Sequence, residues 1–126
     1  MKTNEWLSYL LEQHQAEFIE RLEGEIRGRG FAASEGAVAS LAAALIADFD
    51  AETFAATPAA LAALADALRG QDTGRAADAL GKIWQKAEHL LGGYVAEEGE
   101  LTGGARRLAY LRLSEFGQDA RTALAG

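Results

Sequence analysis

The sequence predicts an all-α fold, a compact bundle of four or five helices. The chain has a single proline among 126 residues, and alanine and leucine are abundant. Its apolar residues recur at three- and four-residue steps, with no sustained strand-like alternation. A chain of 126 residues, 49% of them hydrophobic, is long and apolar enough to bury a core. Residues 1–126 are therefore expected to form one helical domain.

The first helix is predicted over residues 4–27. The sequence "GRG" at 28–30 ends it, because glycine is a poor helix former. One face of this helix carries the stripe Leu7, Leu11, His14, Phe18, Leu22 and Ile26.

The next two helices are predicted over 34–49 and 57–69. Ser34 is a good N-cap for the first of them. Thr57 is expected as the second N-cap, with Pro58 in the first helical position, where its missing N–H is harmless. Gly70 ends this helix. The apolar faces are Val38, Leu41, Leu45, Ile46 and Phe49, and then Leu61, Leu64 and Leu68.

The fourth and fifth helices are predicted over 73–92 and 104–124. The fifth is apolar on two sides, since Leu111 points almost opposite to the main face, which indicates a central position or a subunit contact. Trp6 and Tyr9 likewise fall off the stripe of the first helix. These three residues make a candidate homodimer surface. The main faces are Ala77, Leu80, Ile83, Trp84, Ala87, Leu91 and Tyr94, and then Ala109, Leu113, Phe116 and Ala120.

Charge and composition exclude several functions. A net charge of −7 argues against nucleic acid, which requires clustered Lys and Arg. No apolar run is long enough to span a membrane, and the early acidic residues do not fit a signal peptide, so a cytoplasmic protein is expected. The absence of cysteine removes thiolate metal sites and cysteine nucleophiles.

The residues also give no pattern for catalysis or for a cofactor. Glu88 directly precedes His89, so the Glu-x-x-His spacing of a metal site is missing. The glycines fit neither a phosphate-binding loop nor a dinucleotide fingerprint, because no strand precedes them. We therefore expect a non-enzymatic protein without a metal or a cofactor.

The two histidines occupy different faces. His14 belongs to an apolar stripe and is expected at the edge of the core with one hydrogen-bond partner; nothing else in the sequence accompanies it as a haem ligand. His89 lies opposite Leu80 on the helical wheel and should point outward. Lys82, Lys86 and the pair Gly92–Gly93 share its face. An exposed imidazole with lysines nearby is suited to accept a phosphoryl group.

The window His89, Leu91, Gly93 and Gly99 resembles the histidine phosphotransfer domain, whose motif reads His-x-Leu-Lys-Gly with a further glycine downstream. Gly92 stands where that family carries its lysine. The resemblance implies that His89 relays a phosphoryl group, supported by Lys82, Lys86 and Gly93. This is the alternative function.

The order of segments along the whole chain resembles another family. "LLEQHQAEFIERLEGEIR", "TPAALAALADALRGQD", a histidine-containing helix and "RRLAYLRLSEF" follow one another as in the N-terminal domain of RsbR-type stress regulators and related bacterial kinases. The resemblance implies a haem-free, globin-like, dimeric sensor or scaffold that contacts a protein partner in a signalling pathway. This is the favoured function.

The two hypotheses differ at Gly92–Gly93. A phosphotransfer module needs His89 exposed on a continuous helix, with Gly93 one turn on. For a sensor, we expect the helix to break or bend at the two glycines, each of which costs about 1 kcal/mol relative to alanine in a helix interior.

Overall fold

Six α-helices make up the computed structural model, which describes residues 3–32 and 36–125. This part of the chain contains no strand, and the prediction of an all-α bundle is confirmed. No described helix is both long enough and apolar enough to cross a membrane. The helices are α1 Thr3–Gln13, α2 Gln15–Gly28, α3 Ala37–Ala51, α4 Thr57–Arg69, α5 Thr73–Glu97 and α6 Gly103–Ala125.

The helices from α3 to α6 each pack against the next one along the chain. The N-terminal helix α1 packs on α3 and α6, whereas α2 packs on α5 and α3. Three phenylalanines from different parts of the chain, Phe18, Phe49 and Phe116, are among the fully buried side chains of the single core. The predicted apolar faces supply most of this core, although Ala77 is exposed and Ala76 is buried in its place.

The first predicted helix is wrong in one respect, because it divides at His14 into α1 and α2. The backbone of His14 has φ −108° and ψ 13°, away from helical values. Residues 8–20 contain neither glycine nor proline, so no local signal marks the break. The break lets α1 follow α3 and α6 while α2 turns toward α5.

The start of α3 also differs from the prediction. Gly36, with φ 79°, is the residue before the helix, which begins at Ala37 rather than at residue 34. A φ in the left-handed region favours glycine, since it has no Cβ. The predicted cap Ser34 lies outside the described residues.

The N-terminus of α4 is capped from a distance. Thr57 is the first helical residue rather than the N-cap, so its own N–H is one of the donors that need an acceptor. The carboxylate of Asp48 accepts from Thr57 N at 2.8 Å, Ala56 N at 3.1 Å, Ala55 N at 3.2 Å and Thr53 Oγ1 at 2.9 Å. A side chain of α3 thus fixes where α4 begins.

Arg106 holds the turn between α5 and α6. Its guanidinium donates to the carbonyls of Val95, Ala96 (3.1 Å), Glu98 (2.8 Å) and Leu101 (3.2 Å). These carbonyls lie at or just beyond the C-terminus of α5, where the last C=O groups lack intrahelical partners. A cation there also interacts favourably with the helix dipole.

Candidate functional sites

Helix α5 runs without interruption through Gly92 and Gly93 to Glu97. The break expected for a sensor is therefore wrong, and so is the predicted end at residue 92. A Cβ built on Gly92 or Gly93 meets no heavy atom within 4 Å, so close packing does not require either glycine. The two glycines therefore lower the stability of α5 relative to alanine, and no neighbouring group occupies the space where their side chains would be.

His89 is exposed on this continuous helix, as the wheel predicted. It lines a cleft between α2 and α5 with a volume of about 190 Å³. Lys86 and Gly93 line the cleft as well, whereas Lys82 is exposed and lies outside its lining. We call this the His89 cleft; its lining is Glu17, Arg21, Lys86, His89, Leu90, Gly93, Tyr94 and Glu97.

The charges of the His89 cleft are balanced. Glu17 and Glu97 face two cations, Arg21 and Lys86, and Arg21 Nε lies 3.2 Å from Glu17 Oε1. Because Arg21 and Lys86 line the same cleft as His89, their positive charges would attract an anion held there. The sequence did not predict Arg21, since it comes from a helix far from His89 in the chain.

Tyr94 forms the floor of the cleft and keeps its proton. Its hydroxyl is buried and has no hydrogen-bond partner among the described residues. Burial, together with the charges of Glu17 and Glu97 and against that of Arg21, raises the pKa of Tyr94 to about 12. The ring of His14 stacks on Tyr94 with centroids 4.2 Å apart and planes at 5°.

His14 therefore lies at the edge of the core, as its place in the apolar stripe predicted. It is half-buried, and its Nδ1 is 3.9 Å from Glu17 Oε2. That distance is too long for a hydrogen bond.

Sequence reasoning missed a groove between α5 and α6. Two cavities, of about 340 and 280 Å³, share the lining residues Trp84, Glu88 and Arg121. Glu88 and Arg121 form an ion pair across the two helices. We call the combined space the Trp84 groove. Its remaining lining is Arg69, Ala77, Leu80, Gly81, Gln85, Leu124 and Ala125 in the larger cavity, and Leu91, Gly92, Tyr110, Leu113, Ser114, Phe116 and Gly117 in the smaller one.

Two features of this groove are unusual. Trp84 is only 3% exposed, and its Nε1–H has no acceptor among the residues that the structure describes. Gly117 leaves the space that the Glu88 carboxylate occupies, since a Cβ there would lie 2.8 Å from Glu88 Oε1. The sequence alone does not show that Trp84 Nε1 lacks an acceptor, because this depends on how α6 packs against α5.

Three large apolar side chains of α6 are exposed. Leu108, Tyr110 and Leu111 are 53%, 41% and 54% exposed. The prediction that Leu111 points away from the core is confirmed, and a central position for this helix is wrong. Trp6 and Tyr9 pack edge to face on α1, with ring centroids 5.8 Å apart. Tyr9 is exposed, whereas Trp6 is half-buried against the core.

Another cavity, of about 580 Å³, lies where α2 meets the start of α5. Its arginines are already engaged: Arg29 pairs with Glu25 at 2.9 Å, and Arg75 pairs with Asp72 at 2.8 Å and covers the ring of Phe31. In the described ranges, no group of three or more acidic or histidine side chains is arranged to hold a metal ion.

Comparisons of the chain with protein-family models, curated proteins and solved structures gave no match.

Proposed function

We propose that the protein is a cytoplasmic, non-enzymatic signalling module that acts as a dimeric sensor or scaffold through protein contacts. The observation that carries this proposal is a pair of exposed leucines on the outer side of α6. Leu108 and Leu111 are one helical turn apart and lie on the same side of the helix, whereas the exposed Tyr110 lines the Trp84 groove.

The energetics of this face favour a partner. Burying a leucine side chain that is otherwise exposed contributes about 1.5–3 kcal/mol. The inner side of α6 meanwhile lines the Trp84 groove, so a single helix connects a cavity with an outer contact face. That arrangement suits a module that reports on a bound ligand.

Sedimentation measurements test the dimer. The wild-type protein should associate in a concentration-dependent manner, and Leu111→Glu should shift the equilibrium to monomer because it places a charge in the apolar contact. Ala63→Glu is the matched control, since it adds the same charge at an exposed position on α4. A wild-type protein that stays monomeric at high concentration would contradict the proposal.

A second candidate function is phosphoryl relay through His89. The uninterrupted helix favours it, because this hypothesis required His89 to be exposed on a continuous helix with Gly93 one turn on. The sensor hypothesis required a break, so α5 no longer supports it and its support comes from α6.

The relay chemistry is simple to state. His89 Nε2 attacks the phosphorus of an aspartyl phosphate on a partner, the P–O bond to the aspartate breaks, and the carboxylate leaves. The imidazole retains the proton on its other nitrogen. Arg21 and Lys86 would stabilise the phosphoryl charge, and Gly93 would let the partner's backbone approach, whereas Gly92 lines the Trp84 groove instead.

Incubation with a phosphorylated receiver domain tests the relay. Wild-type protein should gain acid-labile, alkali-stable phosphate, and His89→Gln should lose it while remaining folded. His14→Gln is the matched control, because His14 is the one other histidine of the sequence. Uptake that persists in His89→Gln, or no uptake by the wild type, would eliminate this function.

A further inference from the structure

We propose that the Trp84 groove binds a small amphipathic carboxylate, whose carboxylate pairs with Arg121 and accepts from Trp84 Nε1. The idea that this ligand is the signal read by a sensor rests on the function proposed above. Its binding depends only on the residues of the groove.

The groove contains a buried hydrogen-bond donor, Trp84 Nε1, that lacks an acceptor among the described residues. A buried N–H without an acceptor costs about 1–3 kcal/mol, and Trp84 Nε1 is such a group in the described structure. Tryptophan N–H groups usually find a partner when buried. An acceptor atom delivered by a ligand would satisfy it.

The charge of the groove selects an anion. Arg69 and Arg121 face a single carboxylate, Glu88, among the groove's lining residues. Arg69 also pairs with Asp66 at 3.1 Å, but Asp66 lies outside the lining and is mostly exposed. Replacing the Glu88 partner of Arg121 by a ligand carboxylate would keep the guanidinium paired, since arginine accommodates planar carboxylates well.

The rest of the lining selects an apolar body. Leu80, Trp84 and Leu124 flank the larger cavity, and Leu91, Leu113 and Phe116 flank the smaller one. Pockets of a few hundred Å³ with apolar walls and a few polar groups are typical of small-molecule sites. Inorganic phosphate would leave these walls uncovered, whereas an amphipathic acid would cover them.

Glu88 acts as the internal competitor for the ligand. Its carboxylate and Arg121 line both cavities, so the ion pair lies between them. The two side chains are 31% and 49% exposed, which leaves them room to swing outward. In the proposed complex the ligand displaces Glu88 from Arg121, and its carboxylate supplies the acceptor that Trp84 Nε1 lacks.

Octanoate is the probe, and octan-1-ol is its neutral control. The sequence has only two tryptophans, so a Trp6→Phe variant leaves the indole N–H of Trp84 as a single NMR cross-peak. Octanoate should move this peak downfield, as hydrogen bonding does, whereas octan-1-ol should move it much less. No shift, or an equal shift with both compounds, would overturn the proposal.

Two variants give opposite expectations. Arg121→Gln should weaken octanoate binding about tenfold, whereas Glu88→Gln should strengthen it by removing the competitor. Arg107→Gln, at an exposed position on α6 outside the groove, should leave the affinity unchanged. If Glu88→Gln weakens binding, or if Arg107→Gln matches Arg121→Gln, the proposal fails.

Sedimentation of the same samples separates this result from the proposed function. Octanoate binding by a strictly monomeric protein would retain the site and reject the dimeric sensor. A dimer that ignores octanoate would reject the site and leave the dimer in place.

Discussion

Asp48 is 2% exposed, yet its carboxylate stays ionised because four donors surround it. Burial by itself raises the pKa of Asp48. Hydrogen bonds from Thr57, from the backbone of Ala56 and from Thr53 outweigh that effect and lower the pKa from 3.8 to about 2. A charge that the sequence places in the last turns of α3 therefore serves as the cap of α4.

A pH dependence of stability follows from this carboxylate. Because the folded pKa lies below the unfolded value, the unfolded chain binds the proton more readily, and stability falls as the pH drops from about 5 to 2. The loss attributable to Asp48 is about 2 kcal/mol.

Urea unfolding at pH 7 and at pH 3 measures the effect. Asp48→Asn should be less stable than wild type at pH 7 and should lose less stability on acidification. If both proteins lose the same free energy of unfolding between pH 7 and pH 3, other carboxylates cause the acid sensitivity.

At the scale of the helices, the two glycines inside α5 lower its stability and can be replaced one at a time. Gly92→Ala and Gly93→Ala should each raise the free energy of unfolding by up to about 1 kcal/mol, because alanine is the better helix former and each added Cβ enters open space. Denaturant unfolding checks the values.

Gly117→Ala is the contrasting variant. Its Cβ would lie 2.8 Å from Glu88 Oε1, so the Glu88 side chain would have to move. The free energy of unfolding should therefore rise less than in Gly92→Ala or Gly93→Ala. If Gly92→Ala or Gly93→Ala destabilises the protein, α5 does not have the open surroundings described here.

Helix positions were largely predictable because the apolar periodicity that defines a face is local. The bounds predicted for α4, 57–69, are those observed, since Pro58 and Gly70 mark both ends. The break at His14 was not predictable, because it serves packing against three distant helices.

The positions of Arg21 in the His89 cleft and of Arg121 in the Trp84 groove were not predictable either. Each residue reaches its site from a helix more than 30 residues away in the chain.

At the scale of the whole molecule, Phe116 ties the C-terminal helix to the middle of the chain. Its ring lies 4.8 Å from that of Phe49 and 5.1 Å from that of Phe54, measured between centroids. The guanidinium of Arg112 covers the same ring at 5.3 Å.

Phe116→Ala should therefore cost about 3–5 kcal/mol, the usual range for removing a buried phenylalanine. Phe54→Ala should cost less, because Phe54 is only half-buried. Thermal and urea unfolding give both values, and the reverse order would show that α6 contributes little to the core.

The stacked pair of His14 and Tyr94 has a consequence for magnetic resonance. A tyrosine ring 4.2 Å below an imidazole shields the imidazole protons by its ring current. His14 and His89 are the two histidines in the sequence, so their proton signals should be resolved without labelling: one displaced upfield, the other near its position in a free peptide. Since Tyr94 is also the floor of the His89 cleft, any occupant that tilts the tyrosine ring will move the His14 signal. A histidine that does not line the cleft thus becomes an intrinsic reporter of what enters it.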